Sequence, residues 1–153
     1  MLLSGPARGF IKQGLDTLGV SYRHEVIPHY WDIISLYHCL DIYLISSREE
    51  GGPKAILESL AAAVPLVSTK VGMAPDVIEH GENGLLAEIE DIDTLAGHAA
   101  SLIGNPDLRY RLVNHGLDSV LSYRWEHVAA RYYQEVYLPL LQSRTKVGKD
   151  ATH

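Results

Sequence analysis

The sequence predicts an α/β protein built on a doubly wound parallel sheet, and two observations carry that prediction. Short β-branched and apolar runs alternate with stretches of helical periodicity along most of the chain. The 153 residues are 46% hydrophobic, which suits one domain with a core of its own.

Five strands are expected, at residues 2–4, 21–27, 41–46, 65–69 and 84–88. The first two are followed by helical patterns over 7–18 and 29–40, and Cys39 falls in the second of these as a small core residue. The third strand reads as buried because its apolar residues run almost without interruption. It passes through Ser47-Arg48-Glu49-Glu50-Gly51-Gly52 into a helix over 53–63. Pro53 stands at that helix's first position, where a missing N–H is no loss. After the fourth strand, Gly72-Met73-Ala74-Pro75 forms a loop leading to a short helix over 75–80, and Asn83-Gly84 makes a tight turn before the fifth strand. Only helices follow, over 91–103, 106–121 and 125–141. The last one sets Trp125, Val128, Ala129, Tyr132 and Val136 on one stripe, expected to pack on the sheet or a neighbouring element. The domain thus spans 1–141, and the polar tail 142–153 is expected to stay unfolded.

Charge and cysteine usage exclude several function classes. Thirteen Lys and Arg stand against 19 Asp and Glu, a net charge of −6, which gives no electrostatic footprint for nucleic acid or anionic lipid. With one cysteine there is no disulfide within the chain, and the start MLL is neither a signal peptide nor a membrane span, so a cytoplasmic setting is expected. The eight histidines show no metal-ligand spacing.

The stretch from Glu50 to Glu58 carries the chemistry. A helix beginning at the carboxyl edge of a parallel sheet offers free N–H groups and a positive dipole, the setting in which open α/β sheets bind anionic ligands. Gly51 and Gly52 lack Cβ atoms, so their amides can approach a phosphate closely. Lys54 adds a cation at a helix start, where it is unfavourable unless an anion sits beside it. Glu58 lies one turn further on, positioned to accept hydroxyl protons from a ribose diol, and Glu50 precedes the helix, facing whatever extends beyond the phosphate. A surface ion pair between Lys54 and Glu58, four residues apart, is the plain alternative.

EGGPKAILE, the longer run ESLAAAVPLVSTKVGMAPDVIEHGENGLL and the closing YRWEHVAARYYQEVY resemble the carboxyl-terminal, nucleotide-sugar-binding domain of retaining GT-B glycosyltransferases of family 4, the glycosyl transferases group 1. That family's signature is two glutamates with seven residues between them, matched by Glu50 and Glu58. The resemblance implies a Rossmann-like GT-B carboxyl-terminal half whose first strand is missing, and a hexosyltransferase-type activity. A sugar would move from a nucleotide-diphosphate carrier to an acceptor hydroxyl with retention at the anomeric carbon. It also implies that Glu58 holds the ribose, that Glu50 orients the sugar as the catalytic residue, and that the amides of Gly51, Gly52 and Lys54 lie near the diphosphate or the sugar. The base would pack near Ile27, Pro28 and His29. No cofactor or bound metal is implied, the nucleotide sugar being a substrate.

Two departures from the family pattern stand out. Glu-Gly-Gly-Pro-Lys replaces a phenylalanine and a third glycine, and Lys54 would compensate there. The chain begins where the family's second strand would stand, without the acceptor-binding amino-terminal domain, so an acceptor-binding domain or subunit is the expected partner. In the order 3-2-1-4-5-6 the absent strand is the middle one. Closing the gap would pair residues 2–4 with 41–46; otherwise a partner chain supplies the strand. Two other readings remain at this point: a non-catalytic nucleotide-sugar-binding module, and a related GT-B sugar-nucleotide epimerase.

Overall fold

The computed structural model describes residues 1–5, 8–52 and 54–142, which form two compact units, 1–40 and the remainder from Asp41 onward. Pro53, the expected first residue of the site helix, Ala7, the expected start of the first helix, and the tail from 143 lie outside the described residues.

In the first unit, β1 (Leu2–Ser4) pairs in parallel with β2 (Arg23–Glu25), Leu3 standing opposite His24. The crossover is α1 (Gly9–Thr17), which buries Leu15, and α2 (Asp32–Tyr37) follows β2. The imidazole of His24 is bound to the Gly5 carbonyl at 2.7 Å, fixing the turn where Gly5 adopts a φ of +90°. Cys39, expected in the core, is exposed. The helix is shorter than its apolar pattern, ending at Tyr37, so Tyr37 takes the buried position and Cys39 falls beyond the cap.

The second unit holds a three-stranded parallel sheet, β3 (Tyr43–Ile45), β4 (Leu66–Thr69) and β5 (Leu85–Ala87), with β4 in the centre. The expectation of a buried third strand is corrected: β3 is an outer strand of this ladder and leaves Leu44 46% exposed, whereas every residue of the central β4 is buried. On one side Ile56 and Leu60 of α3 (Lys54–Ala61) pack with Ile45, Leu66, Val71, Val77 and Ile78. Val67 and Leu85 meet Leu102 of α5 (Ile92–Gly104) and Leu112 of α6 (Pro106–Val120) in a second cluster. Each fully buried side chain in these clusters stabilises the fold by about 1.5–3 kcal/mol through loss of water-exposed apolar area. At the end of α3, Ala63 takes a left-handed φ of 58° and Val64 N–H returns to the Ser59 carbonyl at 3.0 Å, the bond of a helix-terminating Schellman turn.

β1 lies at its expected residues, the other four strands lie within theirs and are trimmed at one or both ends, and the ladders join β1 to β2 and β3 to β4 to β5. Among the described residues no ladder joins β1 to β3, so the expected closed-up sheet is corrected. Strands of three residues offer too few ladder bonds to force a different order.

Two helices also differ from expectation. The helix expected over 75–80 is α4 (Ala74–Val77). Asn83 ends it early: its side-chain oxygen accepts from Glu79 N–H at 2.8 Å and its amide donates to the Val77 carbonyl at 3.1 Å, while Ile78 turns extended. After a 3₁₀ turn at Leu121–Tyr123, the last helix begins as α7 (Trp125–Tyr132), passes through a π turn at Tyr133–Tyr137 and continues to Gln142. Its stripe is not packed: Trp125 is 85% exposed, Tyr132 60% and Val136 44%. Among the described residues, the main contacts of α7 are with the 3₁₀ and π segments on either side of it.

Candidate functional site

Because β3, β4 and β5 are parallel, their carboxyl ends open onto three loops at one edge: 46–52, 70–73 and 88–91. The first carries Glu50, Gly51 and Gly52 and leads to α3, whose first helical residue is the exposed Lys54. Glu58 follows on the same helix, half-buried, with Ile56, Ser59 and Leu60 turned to the core. Sequence and structure thus bring Glu50, Gly51, Gly52 and Lys54 together at one sheet edge, with Glu58 one helical turn behind.

The loop is held from several directions. Thr69 Oγ1, at the end of β4, donates to the Ser47 carbonyl at 2.7 Å. The Ser47 hydroxyl donates to the Glu50 carboxylate, orienting it from within the loop. Arg48 reaches across to Glu90 of the third loop at 3.2 Å, and Lys70 pairs with Glu88. Both ion pairs are exposed and each contributes only about 0–1 kcal/mol. Glu90 takes a left-handed φ of 69°, costly for a residue with a side chain.

The firmest constraint comes from the second loop. Gly72 has a φ of +50°, and a Cβ there would lie 2.4 Å from the Glu50 carbonyl oxygen and 2.7 Å from that of Gly51. Only glycine brings the two backbones this close. Met73 lies beside the first loop as well, its sulfur 3.3 Å from where a Cβ on Gly52 would be. Sequence reading placed Gly72-Met73 in the loop after the fourth strand but missed that they shape the glycine pair. The glycine itself was the available signal. Thr69 and Arg48 carried none.

Glu58 also lines an open groove of about 440 Å³ with Leu57, Ala61, Leu117, Val120 and Tyr123. A second cavity of about 470 Å³, lined by Glu79, Glu82, Asn83 and His115 among others, lies at the opposite, amino-terminal end of β5, away from the three loops. Ile27, Pro28 and His29, the expected base-binding segment, follow β2 in the first unit. Among the described residues no group of three or more His, Cys, Asp or Glu is placed to hold a metal ion, and no helix is long and apolar enough to cross a membrane.

Parallel sheets, flanking helices and a glycine-bearing loop entering a helix at the carboxyl edge define a Rossmann-like α/β protein with a ligand edge. The profile described as "Glycosyl transferases group 1" matches residues 4–118, and the chain belongs to that family. It is 29% identical over 146 residues to N-acetyl-alpha-D-glucosaminyl L-malate synthase of Bacillus anthracis, covering 95% of this chain and 38% of that protein. To the lipopolysaccharide core biosynthesis glycosyltransferase LpsE of Rhizobium meliloti it is 28% identical, covering 94% of this chain and 41% of that one. The chain therefore spans about two-fifths of the length of these relatives. Among solved structures, sucrose-phosphate synthase from Thermosynechococcus elongatus superposes with a TM-score of 0.81 at 19% identity, over 93% of this chain and 38% of that one. HepE of Anabaena, solved with UDP and with UDP-glucose, superposes at 0.74 and 22% identity, over 92% of this chain and 40% of that one. Both likenesses establish the GT-B type of fold.

Proposed function

We propose that this chain is the sugar-donor-binding part of a retaining glycosyltransferase of family 4, the carboxyl-terminal half of a GT-B enzyme of hexosyltransferase type. It transfers a sugar from a nucleotide diphosphate to an acceptor hydroxyl with retention at the anomeric carbon. The observation that supports this reading most is the pinned 47–52 loop, which sets two glutamates on either side of a glycine pair at the mouth of α3.

In this reading Glu58 accepts hydrogen bonds from the ribose hydroxyls. The amides of Gly51, Gly52 and Lys54, together with the Lys54 ammonium, face the diphosphate. Glu50, already oriented by Ser47, turns the sugar toward the acceptor. Charge that develops on the departing diphosphate meets fixed N–H groups and a cation that need little rearrangement. Placing the acceptor against the anomeric carbon supplies the remaining rate enhancement. The scheme needs no bound metal. Acceptor binding falls to a further domain or subunit, in keeping with relatives more than twice this length.

Calorimetric titration with UDP-glucose and GDP-mannose tests the reading. Saturable binding of at least one, lost on mutation of Glu58, is the expected result; no binding of either overturns it. Binding that never yields turnover when an acceptor-binding partner is supplied would instead identify a non-catalytic nucleotide-sugar module.

A further inference from the structure

The sequence leaves Met73 two roles, lining the sugar pocket or plain loop packing, and it was not among the residues assigned to the site. The structure gives it a position that none of them has. It stands between the left-handed Gly72 and the start of α4, partly buried. Its Sδ is 3.3 Å and its Cγ 3.8 Å from the point where a Cβ on Gly52 would be. One flank of Gly52 is therefore covered by a thioether from another loop. Gly51, by contrast, has no atom within 4 Å of the corresponding point.

We infer that Met73 is a specificity-determining residue, forming the apolar wall against which the sugar of the bound nucleotide rests. The inference rests on the reading of the 47–52 loop as the cradle of a nucleotide sugar. Three features lead to it. Gly72 locks the second loop against the Glu50 and Gly51 carbonyls, so the backbone that carries Met73 is held beside the cradle. The side chain projects onto Gly52, which precedes the helix start on the side of Glu50, the residue read as facing the sugar. The other side chains anchored around this loop, from Ser47, Arg48, Thr69 and Lys70, are polar or charged and already engaged with protein partners. A thioether has almost no hydrogen-bonding capacity and is flexible and polarisable, so it accepts the C–H face or a methyl substituent of a sugar and gives nothing to a hydroxyl. Met73 would then sort donors by the shape of the sugar, leaving recognition of the nucleotide to Glu58 and the backbone.

The test separates sugar from nucleotide. Affinities of the full chain for UDP, UDP-glucose and UDP-N-acetylglucosamine, and for GDP and GDP-mannose, are measured by calorimetry for the wild type, Met73→Gly and Met73→Leu. In Met73→Gly, the ratio of sugar-nucleotide to free-nucleotide affinity is expected to change about 10-fold, the effect of altering a hydrophobic pocket wall by a group or two, with free UDP or GDP affinity unchanged. Met73→Leu keeps the volume and apolar character of the wall, and its ratio should stay within about 3-fold of wild type. Thermal melts of each variant report whether the loops remain folded. If Met73→Gly melts like the wild type and its ratios are unchanged, the inference fails while the cradle stands. If it loses free-nucleotide affinity in step with the rest, Met73 is a structural prop and the inference fails as well. Should the wild type bind none of the five compounds, the underlying assignment falls and the inference with it.

Discussion

Replacing Gly72 with alanine tests the contact that shapes the cradle. The added Cβ would sit 2.4 Å from the Glu50 carbonyl oxygen and 2.7 Å from the Gly51 carbonyl oxygen, against 3.4 Å at the near end of ordinary contact. Both obstacles are backbone, so a rotamer change cannot relieve them. The 47–52 loop must retreat by about 1 Å, the difference between 3.4 and 2.4 Å, or Gly72 must leave its φ of +50°. A left-handed φ costs a residue with a Cβ about 1 kcal/mol. Forcing one extra carbon into a packed contact costs about 1–3 kcal/mol. Gly72→Ala is thus expected to lower stability by about 2–4 kcal/mol, read as an earlier urea midpoint at unchanged slope. A loop displaced by about 1 Å should also cost on the order of 100-fold in any turnover that depends on it. A variant within about 0.5 kcal/mol of wild type that retains nucleotide affinity would refute the reasoning, since the two loops would then have room to spare.

The remaining predictions concern Glu58, Gly116 and Asp91. Glu58→Ala should weaken nucleotide binding by about 1.5–3 kcal/mol if the carboxylate holds ribose hydroxyls, and calorimetry showing wild-type affinity removes it from the site. Gly116→Ala sets a gain in helix propensity of about 1 kcal/mol against a Cβ 2.8 Å from Leu60 Cδ2, which is buried and has little room to yield. With overpacking costing about 1–3 kcal/mol, the net change should be destabilising, and a higher urea midpoint would show that α3 and α6 are less tightly apposed than described. Asp91 caps α5, accepting from Thr94 N–H at 3.0 Å, and hydrogen bonds from Thr94, side chain first and backbone second, hold its carboxyl below the usual range. A lowered folded-state value means that its stabilising contribution is complete above about 3.9, the unfolded value, and fades as pH falls through the folded one. The melting-point gap between wild type and Asp91→Asn should therefore be positive near neutrality and close in acid; a gap independent of pH would contradict the charged cap.

Local patterns were legible where one stretch of chain dictates its own structure. The alternation of strands and helices and the passage of the 47–52 loop into α3 follow from periodicity and turn residues. The resemblance singled out Glu50 and Glu58 because their spacing is a local property. What escaped were effects decided by distant partners. Asn83 truncates α4 by capturing groups at Val77 and Glu79, and no periodicity announces that. The stripe on the last helix has the pattern of a packed face, yet whether a layer exists to receive it lies outside the helix. Cys39 sits in an apolar run but beyond the end of α2, and a shift of two residues at a helix end is enough to turn it outward. Gly72 shows the same limit at the site: its φ and its neighbour 22 residues earlier, Glu50, belong to the tertiary structure alone.

The tethering of the 47–52 loop by Thr69, Arg48 and Gly72 has a thermodynamic consequence for any guest it receives. A floppy segment must surrender conformational freedom at the moment of capture, at about 1–2 kcal/mol for each residue that becomes fixed. Here most of that ordering has been settled during folding, so association draws little on chain entropy and its enthalpy is not spent on immobilising the receptor. Anything that severs the tethers without touching the guest would reappear as an entropic penalty on binding.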